Sequence, residues 1–122
     1  MIERLFFCYI GVTPPGPKSR DMLAIQSMLE THAVIYPKAF PFAIDSAHCA
    51  TIKDVDGNLY IDWFSGVCVL NLGHNNPSVT NSVKEQIEKV WHTMEIPTGA
   101  RIDFLEKIHA VLPQSLRGHC IA

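Results

Sequence analysis

Asp54-Val55-Asp56-Gly57-Asn58-Leu59-Tyr60-Ile61-Asp62-Trp63-Phe64-Ser65-Gly66 is the stretch that decides how this chain folds. Gly57 and Asn58 tolerate the positive φ of a tight turn, and β-prone runs flank them, Ala50 to Val55 before and Leu59 to Phe64 after. That pattern predicts an antiparallel hairpin. The acidic groups of Asp54 and Asp56, with Asn58, also suggest a calcium loop. Such a loop needs glycine at its sixth position and glutamate at its twelfth. Counted from Asp54, Gly57 stands fourth and Ser65 twelfth, so calcium is rejected.

Downstream of the hairpin, Asn76-Pro77 predicts a helix start, with Asn as N-cap and Pro at the first helical position. Val79, Val83, Ile87, Val90, Trp91 and Met94 mark its apolar face, and Glu85 and Lys89 form a favourable (i, i+4) pair. Pro97 ends this element. Thr98 caps the next, whose stripe of Ile102, Leu105, Ile108, Val111 and Leu112 runs until Pro113. Upstream, the prolines of Thr13-Pro14-Pro15-Gly16-Pro17 exclude regular structure, so Ser19 is the expected N-cap of a helix carrying Met22, Ile25, Met28 and Leu29 to about Thr31. Tyr36 to Phe42, with prolines among aromatics, is expected to be extended and irregular.

The chain has 122 residues, enough for one domain, and is 48% apolar and 18% charged. That balance suits a segment that packs against more protein. A net charge of -2 gives no electrostatic reason for a nucleic acid or an anionic membrane as partner. Cys8, Cys49, Cys68 and Cys120 show no zinc or Cys-x-x-Cys spacing and read as free thiols of a reducing cytosol, which predicts a cytoplasmic protein. The apolar run Leu5 to Val12 is short and no small-x-small cleavage site follows it, so it is not read as a signal peptide. No stretch approaches the roughly 20 apolar residues of a membrane span. The histidines show no ligand spacing, so no metal is expected.

The hairpin stretch, continuing through Asn71-Leu72-Gly73-His74-Asn75-Asn76-Pro77, resembles the N-terminal segment of class III aminotransferases. That family has an Asp-x-(Asp/Glu)-Gly hairpin, then Tyr-(Ile/Leu/Phe)-Asp-Phe-x-(Ser/Ala)-Gly, then Asn-x-Gly-His-x-x-Pro. The resemblance extends from about Thr13 to His119, leaving 1–12 as a non-matching extension and 13–122 as the aminotransferase segment. Tyr36-Pro37-Lys38-Ala39-Phe40-Pro41-Phe42 and Trp91-His92-Thr93 are similar to the diaminobutyrate and 4-aminobutyrate branches. Family members are several times longer, so the resemblance implies the first part of an enzyme. A truncated or frameshifted reading frame would account for both unmatched ends, 1–12 and Cys120-Ile121-Ala122.

The resemblance implies an α+β fold for this portion, with an N-terminal helix, a small antiparallel sheet and two helices leading into the α/β domain of a fold-type I enzyme. It implies pyridoxal phosphate (PLP) as cofactor, transfer of an amino group from an ω-amino or diamino acid to 2-oxoglutarate, and a homodimer with its sites at the subunit interface. PLP chemistry needs a Schiff-base lysine, an acid on the pyridine nitrogen and donors around the phosphate. No lysine here stands in the family's Schiff-base context, so the chain alone is expected neither to hold the cofactor nor to catalyse. Its expected contribution is substrate recognition. By resemblance Val67, four residues before the motif Asn71, lines the amino-donor pocket, and Tyr36 and Phe40 form another wall. Without the resemblance all three read as ordinary apolar packing.

Gly73 and His74 read as a turn, glycine for positive φ and histidine for a tying hydrogen bond, and His74 is not read as a general base for want of a recognisable carboxylate partner. Cys49 stands where the family has glycine and strains the turn if that position needs positive φ. The rival reading is a non-catalytic product, either a truncated fragment or an interaction module that pairs with a full-length subunit.

Overall fold

The computed structural model describes residues 8–31 and 33–117; the run 1–7, His32, His119 and Cys120 lie outside them. Two compact units divide the chain, Met1–Asn81 and Ser82–Ala122, where one domain is expected from length.

In the first unit, β1 (Ile44–His48), β2 (Thr51–Asp54) and β3 (Leu59–Ile61) form an antiparallel sheet in the order β1-β2-β3. The β2–β3 hairpin is the predicted one, with Thr51 opposite Ile61 and Lys53 opposite Leu59. Its turn bends at Gly57, φ 92. β1 carries no alternating apolar pattern and is held by its ladder to β2, whose register shifts between Ile44 and Ser46. On the far side of β3, Tyr9 exchanges both backbone hydrogen bonds with Leu59 and so adds to the sheet edge.

The hairpin tip is a polar hub. Asp54 and Asn58 are fully buried, and the Asp54 carboxylate accepts from the Asp56 and Asn58 backbone N–H groups, the Asn58 side-chain amide and the Tyr60 hydroxyl. The Asn58 side-chain oxygen, Oδ1, accepts from the Gly11 and Val12 N–H groups, each at 2.9 Å. A buried charge is tolerable when its acceptor sites are filled in this way. Burial alone would raise the Asp54 carboxyl, yet these donors outweigh it and the group lies below the ordinary carboxylate range. Burial, with the Asp54 carboxylate beside it, pushes the Tyr60 hydroxyl up to about 12.

Helix α1 spans Pro17–Leu29 and starts ahead of the expected N-cap Ser19. Proline fits the first turn of a helix, where an N–H would be orphaned anyway, so Gly16 becomes the N-cap residue. Tyr36–Ala39 is a one-turn helix, α2, rather than an extended run, for the same reason: Pro37 sits in its first turn. A single turn, α3 (Ser65–Cys68), winds left-handed, with φ of 49, 58, 64 and 62 at Ser65, Gly66, Val67 and Cys68. Cys49 has φ 50, the positive value suspected from the family's glycine there.

Helix α4 (Pro77–Ile87) begins as predicted, with Asn76 Oδ1 accepting from Ser78 and Val79. It ends before Val90, Trp91 and Met94, so the expected face is shorter, and Lys89 lies past the last turn that would have set it against Glu85. The boundary between units falls inside α4. In the second unit α5 (Gly99–Val111) follows its predicted limits, with Thr98 Oγ1 accepting from Arg101 at 3.2 Å. Among the described residues no helix is long and apolar enough to cross a membrane.

Candidate functional site

A hollow of about 1060 Å³ opens in the first unit. Its walls come from α1 (Met22, Leu23, Gln26), α2 and the segment after it (Tyr36, Phe40, Phe42), and the residues leading into α3 (Trp63, Phe64, Val67). The three residues singled out from sequence, Tyr36, Phe40 and Val67, line this one hollow. Phe64 is the hinge between their two segments, with ring centroids 5.9 Å from Tyr36 and 6.2 Å from Phe40. Phe42 stacks on Tyr60 at 4.5 Å, fastening the aromatic segment to β3.

The strand-to-turn corner carrying Val67 is set by Asp62. Its Oδ1 accepts from the N–H groups of Phe64 at 2.9 Å and Ser65 at 2.8 Å, which closes the turn before α3. Its Oδ2 lies 2.7 Å from His74 Nε2, so the ring donates to the carboxylate. This is the carboxylate partner for His74 that spacing did not reveal. Burial raises the Asp62 carboxyl, but the His74, Ser65 and Phe64 donors hold it below the ordinary range. His74 is fixed in turn through its backbone, which exchanges two hydrogen bonds with Cys49 at 2.8 and 2.9 Å. Gly73 permits that approach, since a Cβ there would lie 3.0 Å from the Cys49 Cα, and its φ is 81. Asp62 and His74 both line the hollow.

The sequence held a partial signal for this arrangement. An Asp followed by Ser three residues on, Asp62-Trp63-Phe64-Ser65, is the pattern of a side chain closing a turn onto downstream N–H groups. Nothing local joins Asp62 to His74, or α1 to the hollow.

The donor set does not fit PLP. Among the described residues no lysine lines the hollow, and the one carboxylate that does, Asp62, is committed to His74 and two backbone N–H groups. At the N-termini of the longer helices Asp56 accepts from two N–H groups of α1, Asn76 from two of α4 and Thr98 from one of α5. Among the described residues no three His, Cys, Asp or Glu side chains converge as a metal site requires.

Residues 33–121 match the family model described as "Aminotransferase class-III", which takes in Cys120 and Ile121 at the end left unmatched by the motif reading. A diaminobutyrate–2-oxoglutarate aminotransferase of Rhizobium meliloti is 35% identical over 94 residues, covering 75% of this chain and 20% of the relative. An alanine/serine racemase of Pyrococcus horikoshii is 33% identical over 85 residues, covering 70% of this chain and 18% of the relative. Among solved structures, the acetylornithine aminotransferase of Elizabethkingia anophelis superposes with a TM-score of 0.69 at 22% identity, over 77% of this chain and 24% of that one. At that identity the likeness is one of fold, and it agrees with the expected α+β portion of a PLP-dependent aminotransferase. The chain spans about a fifth of the length of the curated relatives it matches.

Proposed function

Because the chain belongs to the class III aminotransferase family, we propose that it supplies the amino-donor wall of a transaminase, with Tyr36, Phe40 and Val67 lying against the carbon chain of an ω-amino or diamino acid. The observation that carries this reading is their convergence. Two segments far apart in sequence meet through Phe64 around one hollow, lined mainly by apolar groups as such pockets are. Pyridoxal phosphate is the cofactor of the complete class III enzyme. The amino group goes to 2-oxoglutarate in a ping-pong cycle, in a cytoplasmic homodimer, and the lysine and phosphate donors come from residues beyond those here. The similarity to a diaminobutyrate–2-oxoglutarate aminotransferase supports this choice of donor and acceptor. Donor preference measured on a complete class III aminotransferase carrying this segment, with and without Val67→Tyr, tests the assignment.

A second reading is favoured by one observation: among the described residues no apolar side chain is buried, and Trp63 is 90% exposed and Leu29 83%. A non-catalytic product that pairs with a full-length subunit would cover such surface. Downstream DNA that encodes, in any frame, a glycine/serine-rich phosphate loop and a lysine motif supports a broken enzyme gene over a dedicated interaction module.

A further inference from the structure

The α1 wall of the hollow lies outside the family-matched residues 33–121, and α1 has no cap of its own. Gly16 offers no side chain, and no acidic residue stands in the first turn. The orphaned N–H groups go to the hairpin tip. Lys18 N–H donates to Asp56 Oδ1 and Ser19 N–H to Asp56 Oδ2, each at 2.9 Å, and the Ser19 hydroxyl bonds the same carboxylate. A carboxylate taking two N–H groups at a helix N-terminus answers both the unpaired donors and the positive end of the helix dipole. Ser19 is fully buried, and its Oγ accepts from Ala43 N–H at 3.2 Å, so the same contact ties α1 to the residue before β1. Gly16 leaves room for it: a Cβ there would lie 2.3 Å from Asp56 Cγ and 2.5 Å from Oδ2. The Gly16 backbone, φ -68 and ψ 173, is open to any residue, so space alone demands glycine.

We propose that Asp56 is a positioning residue of the pocket: by clamping the first turn of α1 it fixes where Met22, Leu23 and Gln26 stand, which makes α1 a specificity wall held in place by the hairpin tip. These three residues share one side of the helix, and a one-residue slip would rotate that side by about 100°. The pocket role rests on the proposed donor-binding reading; the clamp does not.

The test uses the full chain and two readouts, amide hydrogen exchange along α1 and the Met22 ε-methyl NMR signal. Asp56→Ala and Asp56→Asn are each expected to speed exchange at Ser19 and through α1 by tenfold or more, and to shift the Met22 methyl. The His74 amide and the Met28 methyl, which does not line the hollow, stay as they were. Asn has one acceptor oxygen where two N–H groups need two. Gly16→Ala reproduces the release by displacing the carboxylate, and in the Asp56→Ala background it adds less than about twofold, because the group it displaces is already gone. The proposal is overturned if wild-type Ser19 exchanges unprotected, if Asp56→Asn protects α1 as wild type does, if Gly16→Ala acts fully in the Asp56→Ala background, or if α1 loosens while the Met22 signal stays put. Should the clamp hold while Val67→Tyr leaves donor preference unchanged in the complete enzyme, the donor-pocket reading fails by itself.

Discussion

His74 Nε2 stands 2.7 Å from Asp62 Oδ2, and through that contact the motif histidine braces the corner from which Val67 projects. The Asp62 side chain is 7% exposed and that of His74 20%, so this charge-assisted pair is partly sheltered from solvent screening. Asp62→Ala removes this bond and the two backbone bonds to Phe64 and Ser65. Exchange at the Phe64 and Ser65 amides is expected to rise about tenfold or more, at least ~1.4 kcal/mol, near the low end of what hydrogen bonds to charged groups contribute. His74→Phe leaves the two backbone bonds in place and acts less. Equal effects of the two variants would contradict the assignment of the turn to Asp62.

Acid should open the first unit from its hairpin and corner. For Asp54, Asp56 and Asp62 burial works upward, and hydrogen-bond donors more than offset it, so all three sit below the ordinary value of 3.8. A carboxyl depressed in the folded state contributes stability that is fully present above its unfolded pKa and lost as pH falls through the folded one. Amide protection at Asn58, Ser19 and Ser65 is therefore expected to hold above about pH 5 and to fall below about pH 4. Exchange rates followed from pH 6 to pH 3 and corrected for intrinsic chemistry check this. Protection that rises on acidification would reverse the sign and refute the carboxylate accounting.

At the Cys49–His74 bridge the backbone is strained. A side chain held in the left-handed region costs roughly 1–2 kcal/mol, and Cys49 has φ 50. Cys49→Gly relieves this but makes the unfolded chain more flexible by about 0.5–1 kcal/mol, leaving a net gain of up to about 1.5 kcal/mol and centred on roughly 0.7 kcal/mol. Protection of the residue 49 and His74 amides should rise about two- to fivefold. Gly73→Ala does the reverse, because it adds a Cβ at φ 81 and 3.0 Å from the Cys49 Cα. If Cys49→Gly weakens the bridge, the cysteine contributes packing that outweighs the strain.

Among the described residues no lysine lines the hollow, so PLP is expected to find no preferred amine to condense with. Mixing the chain with PLP, reducing with borohydride and mapping adducts by mass spectrometry should give scattered, substoichiometric labelling of the lysines. One stoichiometric adduct on a single lysine would sink the claim.

The readable parts of this fold are those whose partners lie close in sequence. Gly57 marks its turn, Thr98 caps a helix three residues on, and Asn76-Pro77 starts one on the spot. What escaped reading depends on partners far away. Asp56 caps α1 from 38 residues downstream, and Asp62 meets His74 across 12. Ser19 reads as a cap because the prolines before it argue against helix, whereas Pro17 opens α1 and its capping carboxylate comes from another element. β1, Ile44-Asp45-Ser46-Ala47-His48, lacks an alternating pattern because neither of its faces is buried. Family resemblance alone points to Tyr36, Phe40 and Val67; that they share a hollow follows from Phe64, whose ring packs against both aromatics.

Val67 tests what that hollow is for. It lines the hollow from a left-handed turn at φ 64, a small aliphatic group that in the proposed donor pocket leaves space and an apolar wall for a methylene chain. A tyrosine there fills the space and presents a hydroxyl to a polar donor group instead. In a complete class III aminotransferase carrying this segment, Val67→Tyr is expected to lower kcat/KM for 4-aminobutyrate-like donors tenfold or more, about 1–3 kcal/mol, with the cofactor spectrum unchanged. The spectrum is the control, since a misfolded graft alters it and a reshaped donor pocket does not. Donor preference constant within about twofold, a shift under roughly 0.5 kcal/mol, would make Val67 mere packing and remove the pocket assignment.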